Sequence, residues 1–593
     1  MKKTLVILLA TAAVFFIIFV VATKKKTEHI LQKTQAQIRT RAIPLQIFRE
    51  KSRESDEGQL LLSANAIHDI EYSEPNYYVA TSGGIHLLNA NFQAAGHLTT
   101  LSGLQAVDVR QIIKSPEYLY FIYKDGRFSR FADNAYDHFQ ASGLAIRSGL
   151  CLRNKIYLAD QNHVYQLQDD RLQKIIDHKN IKNIFGIEHL HFIDADNQVF
   201  RVGSDSEVIS TPDLQLVSNA RESVDSVFIA SSRGLYSSAA KAFLFPGHYV
   251  KDCEWQDGAL FALTASGEVL TNRGTVKVIS ERSYIYKFKK TNGRLFALSS
   301  ECIFIWENEK WRGITIPSAL PEAFITTLCQ SNGTLWAGTL DRGILSIHGQ
   351  TLHDHFEKTA EINDSLIFNG EPCFASTLGV LTTSGAKTNC IQGTENIYCN
   401  ALLADQAEIY AGSTRGLLRI RSGGLELYNL FQKLSNHKIF CLEKANSGIW
   451  CGTMGGLQYF DGHEFSKNLS SLNTPLQDNW IANIKDINGT IYISTYNGEL
   501  GKISADNIEI ISRQNCKFNF NNMVSYKQYL FLGTFDQGIF IINLETKRSA
   551  LLRKNLPSTN ITDMIVNGEK LIVASDSGIY LTDLASALNG LNI

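Results

Sequence analysis

The strongest constraint on the fold is a repeated strand–turn–strand unit. An apolar, aromatic strand runs into Thr or Ser, a tight turn containing Gly follows, and a second apolar strand begins, most clearly at residues 77–85, 335–339 and 449–457. The unit occurs fourteen times, at intervals of 33 to 42 residues with a mean of 38. Four short strands in about 40 residues is the size of a β-propeller blade. The turn-entry residues are Thr81, Tyr123, Asp160, Asp196, Ser231, Thr264, Ser299, Thr339, Thr377, Ser413, Thr453, Thr495, Thr534 and Ser575.

A second strand upstream of the turn keeps a fixed phase with it. Five apolar residues each lie fourteen positions before a turn-entry residue, which two unrelated hairpins would not reproduce. These residues are Ile67, Ile325, Ile439, Ile481 and Ile561.

Fourteen blades predict an all-β fold of two tandem seven-bladed propellers. Pro317 and Pro321 fall between the seventh and eighth units, which places the boundary near residue 318. The expected domains are residues 59–318 and 319–593; six plus eight blades, or one large ring, are the alternatives. Residues 59–63 could supply a closing strand to either ring, because the last unit has no obvious outer strand.

Charge and composition narrow the class of protein. Lys plus Arg number 57 and Asp plus Glu 58, so the net charge is -1 and nucleic-acid binding is not expected. Charged residues make up only 19%, which favours β structure over solvent-facing helices.

The N-terminus predicts a membrane anchor over residues 1–26. An apolar run at residues 5–22 lies between Lys2 and Lys3 and a second group of lysines at 24–26. Its length suits a membrane span, placed over residues 4–23, better than a signal-peptide core, although a cleaved signal is the alternative. The charge count favours a cytoplasmic position for the following domain, whereas a single anchor before a large β domain is typical of export. We expect export, with the bulk of the chain periplasmic or extracellular.

Residues 27–58 are expected to form a short juxtamembrane helix and a linker. The helix covers residues 27–42 and ends before Pro44, and the charged stretch 50–58 follows as linker. Ten scattered cysteines form no metal-binding spacing. Cys441 and Cys451 could face each other across a hairpin, but a buried free thiol is expected at each.

Several repeats resemble the two-component regulator propeller family. A Leu-Pro-x-x-x-Ile segment, a strand, an Asn/Asp-Gly turn, an aromatic strand ending in Gly-Thr, and Gly-Leu characterise that repeat. The similar stretches are residues 319–345, 434–460, 476–500 and 556–580, of which the first and last contain the Leu-Pro pair.

The resemblance implies the exported sensor part of hybrid histidine kinases, which in that family often binds glycans. Such sensors continue into a β-sandwich, a second membrane span and a kinase. This sequence ends after its last blade, so we expect a sensor or scaffold module without its own kinase.

No catalytic, metal or cofactor motif is present, and no enzymatic activity is expected. His353 and His355, with Asp354 and Glu357, form the densest histidine group, for which a solvated strand edge is favoured over a metal site. Propeller enzymes such as lyases place their catalytic groups on loops near the axis, and no such group is identified here.

Binding is the better expectation. Loops between the second and third strands of each blade crowd one face of a propeller, and here they vary beside a fixed Gly. Arginines at these loops could hold a carboxylate and aromatic rings could stack on a sugar or a partner's side chain. The candidate residues are Arg342, Arg415, Met454, Tyr496, Asn497, Phe535 and Asp536.

Three functions are consistent with these features. The first is a membrane-anchored scaffold that binds other envelope proteins in a membrane complex. The second is a small-ligand or glycan sensor that signals to a separate kinase, and the third is a propeller enzyme.

Overall fold

The computed structural model describes residues 42–52, 58–203, 206–209, 211–272, 274–276, 279, 284–349, 351–354, 360–385, 387–445, 448–504, 507–591 and 593. Within these residues the chain forms fourteen antiparallel sheets. The helices described are two short 3-10 helices, Thr100–Ser102 and Leu430–Gln432, and one α-helix, Leu584–Leu588. The prediction of an all-β chain built from fourteen blade-sized units is confirmed.

The sheets are named blades 1 to 14 in chain order, and blades 1 to 7 form ring 1. Their strands are Ile67–Ser73, Asn76–Thr81, Gly84–Leu88 and Ala94–Leu98; Val109–Lys114, Leu119–Tyr123, Phe128–Ala132 and Ala135–Gln140; Ser148–Leu152, Lys155–Ala159, His163–Gln168 and Arg171–Asp177; Ile181–Phe185, His191–Asp194, Val199–Arg201 and Glu207–Val208; Val217–Glu222, Val227–Ser231, Gly234–Ser237 and Ala242–Leu244; Val250–Gln256, Ala259–Thr264, Val269–Thr271 and Gly274–Val276; Ile285–Thr291, Arg294–Ser299, Cys302–Glu307 and Lys310–Thr315.

Blades 8 to 14 form ring 2. Their strands are Ile325–Ser331, Thr334–Thr339, Ile344–His348 and Thr351–Asp354; Ile362–Phe368, Glu371–Ser376, Gly379–Ser384 and Lys387–Cys390; Cys399–Asp405, Glu408–Ser413, Gly416–Arg421 and Gly424–Tyr428; Ile439–Ala445, Gly448–Thr453, Gly456–Phe460 and Phe465–Leu469; Ile481–Ile487, Thr490–Thr495, Glu499–Ser504 and Asn507–Arg513; Phe518–Tyr526, Tyr529–Thr534, Ile539–Asn543 and Ser549–Leu552; Ile561–Asn567, Lys570–Ser575 and Gly578–Asp583, completed by Gln59–Leu61.

Each ring closes on itself through the first strand of every blade, which we call the inner strand. The inner strand of each blade packs against that of the next, and the inner strands of blades 7 and 1, and of blades 14 and 8, are also in contact. A single blade cannot bury both of its faces, and packing against two neighbours buries both. The apolar core accordingly consists of clusters between adjacent blades, such as the one that joins Ile70 and Val79 of blade 1 to Leu298 and Ile303 of blade 7.

The fourteen-residue spacing in the sequence arises because the first residue of the inner strand pairs with the turn-entry residue at the end of the second strand. Ile67 pairs with Thr81, Ile325 with Thr339, Ile439 with Thr453, Ile481 with Thr495, and Ile561 with Ser575. All five predicted pairs are confirmed.

The turn-entry hydroxyl explains why the second strand ends in Thr or Ser. In blade 11 the Thr453 hydroxyl donates to the Gly456 carbonyl oxygen at 2.8 Å and accepts from the Gly455 N–H at 3.0 Å. Gly456 has φ of 114°, which disfavours a residue with a Cβ. In blade 9 the residue that makes this bond is Ser376, one position before the predicted Thr377.

The strand Gln59–Leu61 closes ring 2, although ring 1 follows it directly in the chain. It is the outer strand of blade 14, where Leu60 pairs with Tyr580 and Leu61 with Ile579. The expected first domain, residues 59–318, therefore begins with a strand of the second ring.

Part of the expected juxtamembrane linker is β structure, which corrects the prediction for residues 43–51. Gln46–Lys51 is a fifth strand on blade 2 and Ile43–Pro44 a fifth strand on blade 3. The outer strand of each blade offers unpaired N–H and C=O groups, which these residues satisfy. Ile43 and Ile47 also pack on the cluster between these two blades.

The predicted anchor, residues 1–26, and the helix predicted over 27–42 lie outside the described residues, apart from Ala42. Among the residues that the structure does describe, no helix has both the length and the apolar character needed to cross a membrane.

All ten cysteines are free. Cys441 pairs with Gly452 and Cys451 with Leu442, so the two thiols point to opposite faces of blade 11 and enter different apolar clusters. The expectation that they could face each other is wrong.

The two rings contact each other through the linkers that join them. The Leu62 carbonyl accepts hydrogen bonds from the N–H groups of Ala319 and Leu320, both at 3.0 Å. On the same side, the Ser318 hydroxyl accepts from the Ala64 N–H at 2.9 Å. A second contact joins the Thr100 hydroxyl of ring 1 to the Asn555 carbonyl of ring 2 at 3.0 Å.

Candidate functional site

A β-bulge lies near the start of the inner strand in most blades and redirects one side chain there. In thirteen of the fourteen blades described, the register shifts after the first residue of this strand. A bulge leaves its extra residue unpaired and redirects its side chain. We call this second residue of the inner strand the bulge residue.

In ring 2 the bulge residues line a cavity on the axis with a volume of about 330 Å³. Six of the seven belong to its lining: Thr326, Asn363, Asn400, Phe440, Asn519 and Thr562. The loops that precede the inner strands and the loops between the second and third strands add Phe324, Leu340, Glu361, Tyr398, Phe535 and Asn560 to the wall. Phe520 and Asn521, in the inner strand of blade 13, complete it. Amides, hydroxyls and aromatic rings therefore dominate the surface of this cavity.

Blade 13 carries a wider bulge that crosses the axis. Phe518 pairs with Thr534, yet the next paired residue is Met523 with Leu532, which leaves residues 519–522 out of register. The Asn521 side chain donates to the Asn400 carbonyl of blade 10 at 3.2 Å, and Asn521 has φ of 50°. The bulge thus forms one wall of the cavity and fixes it against the far side of the ring.

Five aromatic rings form a continuous cluster beside this bulge. Trp480 stacks on Tyr496 with 4.6 Å between ring centroids, and Phe440 stacks on Phe520 at 5.1 Å. Phe535 meets Tyr496 edge-on at 5.6 Å. The indole N–H of Trp480 is buried without a hydrogen-bond partner among the described residues. Phe440, Phe520 and Phe535 of this cluster also line the cavity.

Several polar groups of the lining also hold adjacent blades together. Asn363 donates to the Cys399 carbonyl at 2.8 Å, Asn400 to the Ile439 carbonyl at 2.9 Å, and Thr562 to the Ile325 carbonyl at 2.6 Å. Each bond joins the bulge residue of one blade to the inner strand of the next. Asn363 and Asn400 donate through their amide nitrogens, and these bonds fix the orientation of each side chain. Their amide oxygens are not used in these two bonds.

One carboxylate lies in the wall. The Tyr398 hydroxyl donates to Glu361 Oε2 at 3.0 Å. Burial and the adjacent Glu361 charge raise the pKa of Tyr398 to about 12, so its hydroxyl stays protonated at neutral pH. The Thr326 hydroxyl and the Asn560 amide oxygen are buried without partners among the described residues, so both can bond a ligand or water.

Below the cavity, a second set of side chains joins the blades. Asp364 accepts from the Leu402 N–H of the next blade at 2.7 Å, and Asp563 accepts from the Leu328 N–H at 2.6 Å. Burial outweighs these bonds and raises the pKa of Asp364 to about 7 and that of Asp563 to about 8.

The predicted loop residues occupy different places around this opening. Phe535 lines the cavity, and Tyr496 belongs to the aromatic cluster beside it. Asn497 and Asp536 are exposed at the same loops, where the Asn497 N–H donates to Asp478 Oδ2 at 3.0 Å. Arg342, Arg415 and Met454 are exposed on the corresponding turns of blades 8, 10 and 11 and are not among the residues that line the cavity.

Sequence reasoning missed the inner-strand contribution to the site. The asparagines at positions 363, 400, 519 and 521 are not among the predicted site residues, because a bulge is not visible in an alternating strand pattern. One signal was available: Phe518 lies sixteen residues before Thr534 instead of fourteen, so the repeat itself marks the two extra residues of blade 13.

The histidine group was assessed for metal binding. His353 lies in the strand Thr351–Asp354 and pairs with Ser346, while His355 and Glu357 lie outside the described residues. Across the described part of the chain, no three His, Cys, Asp or Glu side chains are arranged to hold a metal ion.

Comparison with known proteins supports the fold. No family model and no curated protein sequence matches the chain. Among solved structures, PorZ of Porphyromonas gingivalis, an essential bacterial surface component of the type-IX secretion system, has a TM-score of 0.66 at 12% identity, over 89% of this chain and 87% of PorZ. This likeness shows a shared fold.

Two further solved structures are similar at lower scores. The extracellular domain of the hybrid two-component system BT3049 from B. thetaiotaomicron has a TM-score of 0.41 at 13% identity, covering 92% of this chain and 84% of that one. The extracellular domain of the one-component system BT4673 from the same organism has a TM-score of 0.38 at 13% identity, covering 88% and 82%.

Proposed function

We propose that the protein is a non-catalytic recognition module, and that the axial cavity of ring 2 binds a neutral, hydroxyl-bearing ligand such as a sugar unit. The observation that carries this proposal is the lining: bulge residues bearing amides and hydroxyls from several blades converge beside a cluster of five aromatic rings. Amides and hydroxyls bond to sugar hydroxyls as donors and acceptors, and aromatic faces cover the apolar faces of sugar rings.

The size of the cavity fits a small ligand. Its volume of about 330 Å³ lies near the lower end of the range of about 300–1,000 Å³ that is typical of ligand sites. The Thr326 hydroxyl, which can donate and accept, and the Asn560 amide oxygen, which accepts, line the cavity and have no partner among the described residues.

The number of carboxylates in the cavity lining favours sugar binding over glycoside hydrolysis. Glu361 is the single carboxylate among the described lining residues. Glycoside hydrolases use two carboxyl groups on either side of the bond that breaks. A cavity with one carboxylate, itself bonded by Tyr398, holds a sugar without the second group that such cleavage needs.

We further propose that the two rings lie outside the cytoplasm, held by the N-terminal apolar run. The run of residues 5–22 has the length of a membrane span. PorZ, which shares the fold, is described as a bacterial surface component. A reporter fused to the C-terminus tests this: alkaline phosphatase activity is expected, and fluorescence from a cytoplasmic reporter would contradict it.

The ligand site is tested by titration with a panel of neutral mono- and oligosaccharides. Binding is followed by calorimetry and by the intrinsic fluorescence of Trp480, which lies beside the cavity. We expect at least one sugar to bind, and Phe520→Ala or Asn521→Ala to weaken it about tenfold or more, because each removes a wall of the cavity. Phe431→Ala, on an exposed loop outside the lining, is the matched control. Absence of binding across the panel, or equal loss in the control, would contradict the proposal.

A second candidate function, the docking of an envelope protein, is favoured by exposed apolar side chains on ring 2. Phe431 is 91% exposed and Leu472 94% exposed, on the loops that lead into blades 11 and 12. The 3-10 helix Leu430–Gln432 is capped by Asn429, which holds Phe431 outward. Leu430, next to Phe431, is 62% exposed, and contiguous exposed apolar side chains, unlike single ones, mark protein interaction sites.

Docking is tested by gentle detergent extraction and mass spectrometry of the proteins that remain bound. A specific partner is expected with the native chain and lost from the Phe431→Ser, Leu472→Ser double variant. Retention of the same partners by this variant would exclude the surface, and sugar binding measured on the variant keeps the two candidate functions separable.

A further inference from the structure

The bulge residues differ in charge between the two rings. In ring 2 every bulge residue is uncharged. In ring 1 the bulge residues are His68, Arg110, Lys182, Ser218, Lys251 and Tyr286, and Arg147 immediately precedes the inner strand of blade 3. Four of these seven residues are permanently cationic at neutral pH and none is acidic.

Three of the cations lie on consecutive blades and line one cavity. Arg110, Arg147 and Lys182 are exposed, and they border a channel of about 600 Å³ that runs along the axis of ring 1. We call these three residues the cationic mouth. Its side chains come from blades 2, 3 and 4, whose inner strands pack side by side.

Two of the three charges are not compensated within the protein. Arg110 is paired with Asp108, through contacts of 2.8 and 2.9 Å. Arg147 bonds instead to the neutral Gln161 side chain at 3.1 Å, and Lys182 to the neutral Asn197 side chain at 2.8 Å. In the part of the chain that the structure describes, Arg147 and Lys182 make no ion pair.

Deeper in the channel three basic side chains are neutralised by carboxylates. Lys289 contacts Glu71 at 3.0 Å and Asp69 at 3.4 Å, and Lys287 contacts Asp69 at 3.3 Å. Arg221 contacts Asp252 at 3.3 Å. Lys290, which also lines the channel, bonds the Trp255 carbonyl at 2.9 Å and adds one further cation. Most of the excess positive charge therefore lies at the mouth.

Two donors near this channel have no partner among the described residues. The Arg221 Nε is buried and unbonded, and Arg221 lines the same channel. The Tyr286 hydroxyl, on the bulge residue of blade 7, is also buried and unbonded. Burial and the nearby Asp69 raise the pKa of Tyr286, so this hydroxyl remains a donor at neutral pH. An interior acceptor would satisfy groups that the protein leaves open.

We propose that the cationic mouth of ring 1 binds a small dianion through its phosphate or carboxylate oxygens, at Arg110, Arg147 and Lys182. Two uncompensated charges match a ligand with two negative charges. Each guanidinium offers planar, paired donors suited to such oxyanions, and the Lys182 ammonium adds a point charge. This site is separate from the neutral cavity of ring 2 and does not depend on its function.

The experiment titrates the folded protein with inorganic phosphate, with succinate and with glucose, by calorimetry at low ionic strength. At least one of the two anions is expected to bind. Any binding of glucose, which the ring 2 cavity could hold, should be the same in the native protein and in the double variant Arg147→Gln, Lys182→Gln. Phosphate alone would indicate a phosphate-bearing ligand, and succinate alone a dicarboxylate. Affinity should fall as salt rises through 0.1 M, where the Debye length is about 10 Å.

The double variant Arg147→Gln, Lys182→Gln should lose anion affinity by about tenfold or more, while its unfolding temperature matches that of the native protein, because both side chains are exposed. Arg415→Gln removes an exposed arginine of ring 2 and should bind the anion normally. Failure of both anions to bind, or an affinity unchanged in the double variant, or an equal loss in Arg415→Gln, would overturn the proposal.

Discussion

Asp563 of blade 14 accepts a hydrogen bond from the backbone N–H of Leu328 in blade 8, with 2.6 Å between Oδ2 and N. Its other oxygen accepts from the Met564 N–H at 2.7 Å. Because blades 14 and 8 are the two ends of ring 2, this single carboxyl joins the last blade to the first. Asp69 makes the same bond within ring 1, from blade 1 to the Ile112 N–H of blade 2 at 3.1 Å.

Replacing Asp563 with Ala should loosen the closure of ring 2. The Leu328 N–H would be left without its acceptor, at a cost of about 1–3 kcal/mol. Hydrogen exchange by mass spectrometry is expected to show faster exchange in the strands Ile325–Ser331 and Ile561–Asn567. Asp536→Ala, at an exposed loop, should leave both strands unchanged. Equal protection in the Asp563→Ala variant and the native protein would show that the bond does not contribute to closure.

The stability of ring 2 should fall as pH rises from about 4, the ordinary pKa of an aspartate, to about 8, and should level off above that. Burial raises the pKa of Asp364 to about 7 and that of Asp563 to about 8, far above the ordinary value of an aspartate. The folded state therefore holds protons that the unfolded state has released, and this contribution to stability is lost as pH rises through the folded pKa. Each group contributes a slope of up to about 1.4 kcal/mol per pH unit in this window. Denaturant unfolding between pH 5 and 9 measures it.

Two asparagine variants make this test specific. Asp563→Asn removes the titration, so the decline of stability between pH 5 and 9 should become shallower. For Asp69, burial alone would raise the pKa, but Lys287 and Lys289 outweigh it and lower the pKa. Asp69 stays ionised throughout this window, so Asp69→Asn should change the level of stability but not its slope. A slope unaltered by Asp563→Asn would contradict the assignment.

The repeat was predictable because its determinants are local. A hydroxyl such as that of Thr453 closes the turn within three residues, and Ile439 pairs with Thr453 across a single hairpin. Both interactions recur at fixed spacing, so their signature survives in the sequence of each blade. The strand Gln59–Leu61 was also visible, but its ring was not, because its partner Gly578–Asp583 lies about five hundred residues away.

The lining of the candidate site was only partly predictable, because it depends on distant blades. Phe535 was identified from its loop, and it does line the cavity. Asn400 and Asn521 meet across the axis although 121 residues separate them, and no local pattern encodes that contact. The charge difference between the mouths of the two rings likewise emerges only when bulge residues from separate blades are placed side by side.

The turn hydroxyl should be worth a measurable part of each blade's stability. Thr453→Val keeps the shape of the side chain but removes the hydroxyl that bonds the half-buried Gly455 N–H and the buried Gly456 carbonyl, at a cost of about 1–3 kcal/mol. Thermal unfolding should show a lower melting temperature for this variant. Thr453→Ser retains the hydroxyl and should recover most of the loss. If serine is no better than valine, packing of the methyl group, and not the hydrogen bonds, explains the preference for Thr.

Detaching the strand Gln59–Leu61 should destabilise the ring that is more distant in sequence. Leu60 packs on the cluster of blades 13 and 14, and Leu61 on the cluster of blades 14 and 8. The double variant Leu60→Asp, Leu61→Asp removes this apolar burial, at a cost on the order of 2 kcal/mol or more. Amide exchange in Gly578–Asp583 should accelerate about tenfold or more, while Ile67–Ser73, which follows directly in the chain, should keep its protection. Gln59→Asp, at the exposed end of the strand, is the matched control. Loss of protection in Ile67–Ser73 instead would mean that the strand stabilises ring 1.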